Sequence, residues 1–154
     1  MSVRRARSSD ALSIRRLAEG FGTAGDPPAS GQFDHEYARI ISDDTWLLAV
    51  AEDAGTVRGY ALAQDYGPGL RASFTTGRLR DLYVEPAFRR RGSARALVRS
   101  VVSWAHTRPL PMILDWQASA SAVDFYRRLG FEPDHVGDFP EYPGFSLDTR
   151  TPPG

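Results

Sequence analysis

The chain has 154 residues, with 19 basic and 19 acidic side chains and a formal net charge of zero at pH 7. This length predicts one domain, and the charge balance argues against a general nucleic-acid or membrane-surface binder. The sequence contains no cysteine, which excludes disulfides, thiolate metal sites and a cysteine nucleophile. Its three histidines are scattered, so we expect no metal site. All basic residues are arginine, which excludes a P-loop, because that loop needs a lysine.

Apolar periodicity predicts six strands and four helices. In chain order the predicted elements are strand Val3–Ala6, helix Ala11–Phe21, helix Phe33–Ile41, strand Trp46–Ala51, strand Val57–Ala63, strand Leu79–Val84, a helix that follows Gly92 and ends near His106, strand Met112–Trp116, helix Ser121–Leu129 and strand Gly144–Thr149. Glycine and proline predict loops over 22–31, 65–77 and 134–143. This order indicates an α/β (α+β) fold with a mixed sheet in a single domain, 1–150, and residues 151–154 are expected to form a disordered tail.

The stretch between the fourth strand and the third helix carries the clearest chemical signal. It reads Arg89-Arg90-Arg91-Gly92-Ser93-Ala94, which is a basic turn with small residues at a helix start. A helix start presents unpaired backbone N–H groups and the positive end of the helix dipole, both of which suit a phosphate or pyrophosphate. Three adjacent arginines alone would indicate a solvated basic face or a nucleic-acid patch. The small residues and the apolar helix that follows favour instead a binding site for the phosphate or pyrophosphate of a cofactor.

Two motifs resemble those of the GNAT superfamily of N-acyltransferases. Arg89, Gly92 and Ala94 form an R-x-x-G-x-A pattern similar to the superfamily's acyl-CoA motif, Q/R-x-x-G-x-G/A. The segment Ser119–Pro133 resembles the superfamily's N-x-x-A-x-x-F-Y-x-x-x-G-F segment, with Ser119 where asparagine is usual. The resemblance implies a mostly antiparallel sheet of six to seven strands with about four helices. It also implies that the fourth and fifth strands splay apart to hold the pantetheine arm of acetyl-CoA.

The resemblance also assigns the site residues. Backbone groups near the end of the fourth strand would hold the pantetheine and polarise the thioester carbonyl, and Tyr126 would protonate the departing thiolate. An ordinary core stripe on the helix is the alternative for Tyr126. Ser119 would lie near the cofactor, or Ser119 or Ser121 would simply cap the helix. The expected cofactor-binding residues are Leu82, Tyr83, Val84, Arg89, Arg90, Arg91, Gly92, Ser93, Ala94, Arg95 and Ser119.

The sequence does not identify a general base. Many relatives carry a glutamate two residues before Leu82, where this chain has Arg80, and a guanidinium does not accept a proton at neutral pH. Asp81 and Asp115 are the nearest candidates, with structural carboxylates or deprotonation through water as alternatives. Arg78 and Arg80 share one face of a strand and either recognise a carboxylate or phosphate on the acceptor or are simply exposed.

Acidic residues in the predicted loops hint instead at a cationic acceptor. They are Asp26, Asp65, Asp134, Asp138 and Glu141.

The resemblance implies an N-acetyltransferase that transfers acetyl from acetyl-CoA directly to a primary amine of a small molecule or peptide. The alternative is a CoA-binding or acyl-CoA-binding regulatory module without catalysis, which the departures at Arg80 and Ser119 motivate. The expected partners are acetyl-CoA and an amine acceptor, with no nucleic acid and no membrane, and a homodimer is expected because relatives often pair. No apolar run reaches the length of a membrane span and the N-terminus lacks a signal-peptide core, so we expect a cytoplasmic protein.

Overall fold

The computed structural model describes residues 1–21, 29–70, 73–134 and 143–151. The strands are β1 (Ser2–Arg5), β2 (Trp46–Asp53), β3 (Thr56–Gly67), β4 (Thr75–Val84), β5 (Met112–Gln117) and β6 (Gly144–Asp148). The helices are α1 (Ala11–Phe21), α2 (Ser30–Ser42), α3 (Ser93–His106) and α4 (Val123–Arg128), and short 3-10 turns precede α1 and α4 and follow β4. None of the helices in the described ranges has the length and apolar character needed to cross a bilayer.

The predicted α+β class, with six strands and four helices in this order, is confirmed. The prediction was wrong at both ends of the expected loop over 65–77, because 65–67 and 75–77 belong to strands. β3 continues to Gly67 and β4 begins at Thr75, because polar residues there alternate with buried ones on a half-exposed sheet. The predicted loop stretches 22–28 and 135–142, and the tail residues 152–154, lie outside the described residues.

The six strands follow one another across the sheet in chain order. All neighbours are antiparallel except β4 and β5, which are parallel because α3 carries the chain back over the sheet between them. Helix α3 covers one face with an apolar stripe that includes Leu97, Val101 and Trp104, whereas α1 and α2 cover the other face. Among the described strands, the parallel pair of β4 and β5 therefore interrupts an otherwise antiparallel sheet.

β4 and β5 pair over only part of their length. Their partners run from Thr75 with Met112 to Arg78 with Asp115, and there the pairing ends. β4 stays bonded to β3 as far as Val84, and β5 stays bonded to β6 as far as Gln117. Each strand therefore follows its outer neighbour, and the expected splay between the fourth and fifth strands is present.

A buried ion pair holds the closed end of this splay. Nε of Arg108 lies 2.9 Å from a carboxylate oxygen of Asp65, and both side chains are about nine-tenths buried. Asp65 also accepts a hydrogen bond from the Thr75 hydroxyl, and Thr75 N–H donates to the Pro111 carbonyl at 2.8 Å. The end of β3, the start of β4 and the approach to β5 are thus joined at one carboxylate. Because these contacts occupy the Asp65 carboxylate, Asp65 no longer counts among the acidic residues that hint at a cationic acceptor.

Replacement of Arg108 by methionine tests this pair. We expect Arg108→Met to lower the free energy of unfolding by about 3 kcal/mol, because it leaves the Asp65 carboxylate buried without its partner. Chemical denaturation measures the change. Arg127→Met is the matched control, since Arg127 lies 3.5 Å from Glu132 in an exposed pair and should cost less than about 1 kcal/mol. Equal losses in the two variants would contradict the role assigned to the pair.

Candidate active site

The turn between β4 and α3 has an unusual backbone. A 3-10 turn at Pro86–Phe88 leads into Arg89, and Gly92 is the N-cap of α3 with φ of 86°, in the left-handed region. Arg90 also has a positive φ, of 63°. Side chains are disfavoured at such angles, and a Cβ on Gly92 would meet no atom of the described residues within 4 Å. The turn therefore leaves open space at the start of α3.

Backbone donors of this turn have no acceptor within the part of the chain that the structure describes. The first hydrogen bond of α3 runs from Ala96 N–H to the Gly92 carbonyl, and the N–H groups from Arg90 to Arg95 make none there. No side chain caps the helix. These donors and the dipole of the 14-residue helix make the turn suited to an anion.

Two of the predicted phosphate-binding arginines hold the turn in place. Arg89 Nε donates to the Val84 carbonyl at 2.8 Å, and its guanidinium lies over the Tyr83 ring. The Arg91 guanidinium stacks on Phe88 at 5.1 Å and lies 3.9 Å from a carboxylate oxygen of Asp53. Both side chains thus brace the junction between β4 and α3.

Arg90 and Arg95 are exposed and form no ion pair with any described residue. They are the side chains of the turn that remain available to a ligand.

The predicted pantetheine-binding residues lie on the open edge of β4. Leu82, Tyr83 and Val84 pair on one side with Ala61, Tyr60 and Gly59 of β3. On the other side β4 has no partner among the described strands from Leu79 onward. Backbone groups on that edge are available to an extended ligand, except the Val84 carbonyl, which accepts the hydrogen bond from Arg89.

Tyr126 lies on the β5 side of the splay. Its side chain is 5% exposed and packs with Trp116 and Phe145, whose ring centroids are 5.6 and 5.0 Å away. Burial raises the pKa of Tyr126 to about 12. Its hydroxyl makes no hydrogen bond to the residues described here. The ring therefore belongs to the core, while the hydroxyl is protonated at neutral pH and has a donor to spare.

Ser119 is the N-cap residue of the 3-10 turn Ala120–Ala122, which precedes α4. Its Oγ lies 3.1 Å from Oγ of Ser121, and neither hydroxyl bonds to a backbone N–H of the turn or helix. Ser119 therefore occupies the cap position of the turn without a side-chain capping bond, and its contact with the cofactor stays a prediction. Both side chains are exposed.

The face of the sheet opposite α3 carries the candidate bases. Asp81 accepts a hydrogen bond of 2.9 Å from the Tyr60 hydroxyl, and Asp115 pairs with Arg78 at 3.0 Å. Burial, and then Asp81, raise the pKa of Tyr60 far above its usual range, so that hydroxyl remains a donor. Each carboxylate thus already has one partner.

Arg80 lies on the same face. Its Nη1 donates to Gln64 Oε1 at 2.8 Å, and its guanidinium lies 5.6 Å from the centroid of the Trp46 ring. Leu62 of β3 pairs with Asp81, and the next residue of β3 pairs with Leu79, so Arg80 forms a β-bulge. The sequence motifs do not indicate the bulge, although one signal for it exists. The apolar residues Leu79 and Leu82 are three apart, which a regular strand cannot place on one face.

Solved structures share this architecture at low sequence identity. Glucosamine-6-phosphate N-acetyltransferase from Arabidopsis thaliana superposes with a TM-score of 0.73 and 20% identity, over 88% of this chain and 94% of that one. Ribosomal-protein-alanine N-acetyltransferase from Brucella melitensis gives 0.72 and 19%, over 96% and 99%. A GNAT superfamily phosphinothricin acetyltransferase from Sinorhizobium meliloti, in complex with AcCoA, gives 0.73 and 22%, over 99% and 92%. At these identities the likeness establishes the fold.

The sequence itself establishes the family. The profile of the acetyltransferase (GNAT) family matches residues 12–131, which include both the basic turn and the segment around Tyr126. The chain therefore belongs to the acetyltransferase (GNAT) family, as the two motifs predicted. No curated protein sequence gives a significant match.

Proposed function

We propose that this protein is an N-acetyltransferase that transfers acetyl from acetyl-CoA directly to a primary amine. The observation that carries the proposal is the junction at which β4 separates from β5 and leads into unpaired amides at the start of α3. One part is an open strand edge and the other an anion site, and they lie consecutively along the chain. A ligand with an extended arm and a diphosphate has the chemistry to use both.

The turn and the strand edge bind the two ends of this ligand. N–H groups from Arg90 to Arg95 hold the diphosphate of acetyl-CoA, with the Arg90 and Arg95 guanidiniums beside it. Backbone groups of β4 near Leu82 and Val84 hold the pantetheine arm and orient the thioester carbonyl. Acetyl-CoA supplies an activated acyl group whose leaving group is a thiolate. Arg89 and Arg91 also brace the turn, and the direct contacts expected of the other predicted cofactor-binding residues, Ser119 among them, stay predictions.

Tyr126 supplies the proton that the reaction needs. As the bond between the amine nitrogen and the carbonyl carbon forms, the carbon–sulfur bond breaks and sulfur takes the electron pair. The protonated phenol of Tyr126 then donates to sulfur. The amine loses its proton to Asp81 or to water on the face opposite α3.

The cytoplasmic location, the single domain over 1–150 and the homodimer stay predictions.

A pair of glycine variants tests the anion site. Gly92 and Gly55 both have positive φ, 86° and 81°, and at either position a Cβ would meet no described residue within 4 Å, but Gly55 lies in the β2–β3 turn. Alanine should destabilise the fold by about 1–2 kcal/mol at either position. We expect only Gly92→Ala to weaken acetyl-CoA binding, by about tenfold or more, because the methyl group holds the diphosphate away from the amides. Isothermal titration calorimetry measures the dissociation constants. Unchanged affinity in Gly92→Ala would contradict the assignment.

A second pair of variants tests the proton donor. Tyr126→Phe should lower kcat by about 100-fold or more, with little change in acetyl-CoA affinity, because the ring packing is kept. Tyr37→Phe is the matched control, since Tyr37 is equally buried but packs with the α1 and α2 face. Thiol release against an amine panel measures both. Full activity in Tyr126→Phe would refute the role of its hydroxyl.

The pH dependence gives a further check on this donor. Because the pKa of Tyr126 is raised to about 12, the phenol loses its proton only as the pH rises toward that value. Its ionisation should therefore produce no fall in kcat below about pH 11.

The same amine panel separates catalysis from the regulatory alternative. Tight binding of acetyl-CoA without turnover on any amine would favour a CoA-sensing module. Turnover that depends on Tyr126 would favour the enzyme.

A further inference from the structure

The bulge at Arg80 places two opposite charges side by side on one face. In a regular strand neighbouring residues point to opposite faces, but the two residues of a bulge point to the same one. Leu79 and Leu82, on either side of the bulge, both pack into the core beneath α3. Arg80 and Asp81 lie between them and both contact residues of the opposite face, Gln64 and Tyr60.

One edge of the Arg80 guanidinium makes no hydrogen bond to any described residue. Its Nη1 donates to Gln64 and its plane stacks on Trp46, which fixes the direction of the guanidinium. No carboxylate among the described residues pairs with it, although the neighbouring arginines do have such partners. Arg78 pairs with Asp115, and Arg39, which stacks on the same tryptophan, pairs with Glu36. The Nε and Nη2 donors of Arg80 therefore remain for two oxygens of a carboxylate.

One carboxylate oxygen of Asp81 accepts no hydrogen bond from a described residue. Its Oδ2 accepts the Tyr60 hydroxyl, and within the described residues Oδ1 has no partner. The two neighbours do not pair with each other, since no contact between their charged atoms falls within salt-bridge distance. An anion and a cation that are adjacent but separate can each bind one end of a ligand.

Both charges lie where the splay opens. The pairing of β4 with β5 ends at Arg78, and Arg80 follows about 7 Å further along the strand. Asp81 comes next, immediately before Leu82, where the proposed thioester carbonyl lies. A ligand that enters from the face opposite α3 would thus meet Asp81 nearest the reacting carbon and Arg80 behind it.

We propose that the acyl acceptor is a small free amino acid. Its carboxylate binds the Nε–Nη2 edge of Arg80, and its amino group lies against Asp81 beside the thioester. This inference rests on the proposed N-acetyltransferase function and names its substrate class. Asp81 takes the proton that the amine loses, the carbon–nitrogen bond forms, the carbon–sulfur bond breaks, and Tyr126 protonates the thiolate. The products are an N-acetyl amino acid and CoA.

Matched acceptors test the substrate class. Thiol release from acetyl-CoA is measured with α-, β- and γ-amino acids, with the amide of each, and with polyamines. We expect turnover to be confined to the amino acids, or to favour them strongly over their amides. Calorimetry on CoA-loaded protein adds a readout that does not depend on turnover, and it should detect binding of an amino acid but not of its amide.

Variants at Arg80 test the contact. Arg80→Gln should raise KM for the preferred amino acid by about 10- to 100-fold with kcat little changed, because it removes hydrogen bonds to a charged group. Arg80→Lys keeps the charge but not the two parallel donors, so it should recover part of this loss. Arg39→Gln is the matched control, since it removes an equal charge from beside Trp46 and should leave KM within about threefold. Circular dichroism confirms that each variant is folded.

The outcomes separate this inference from the proposed function. If acetyl-CoA binds and amides or polyamines are acetylated as well as amino acids are, the inference is overturned and the acetyltransferase stands. An unchanged preference in Arg80→Gln, or no amino acid binding to CoA-loaded protein at millimolar concentration, overturns it in the same way. If acetyl-CoA does not bind, both the proposed function and the inference fail.

Discussion

The structure depends on one change of partner within the sheet. β4 is bonded to β5 from Thr75 to Arg78 and then continues with β3 alone. The ion pair between Asp65 and Arg108 fixes the closed end, where the two strands meet. At the open end, stacked rings of Trp116 and Phe145 keep β5 with β6. A slot is stable here because each strand stays paired with its outer neighbour, apart from the bulge at Arg80, and gives up only the other ladder.

Arginine stacked on aromatic rings is the recurring contact around this slot. Arg58 and Arg91 lie over Phe88 beside the basic turn, and Arg39 and Arg80 lie over Trp46 on the opposite face. A guanidinium can stack through its plane and still donate hydrogen bonds from its edge. In a chain without lysine, the same residue type therefore serves both as a brace and as a ligand-binding group.

The sequence predicted the family and the order of elements, but it left the partners of individual side chains open. Apolar periodicity and the Arg89-x-x-Gly92 pattern are local, so they can be recognised without a structure. Arg91 is predicted to lie at the phosphates, and its guanidinium also lies 3.9 Å from a carboxylate oxygen of Asp53, which only tertiary folding brings near it. Such long-range contacts have no local signal. The extension of β3 and β4 was missed for a related reason, since their polar residues are stabilised by neighbours distant in sequence.

The most direct test of this account is a crystal structure of the protein with CoA. We predict that diphosphate oxygens lie within hydrogen-bond distance of the amides between Arg90 and Arg95, with the pantetheine arm between β4 and β5. A diphosphate bound elsewhere, with those amides in contact with solvent alone, would contradict the account. So would a β4 that pairs with β5 beyond Arg78 and closes the slot.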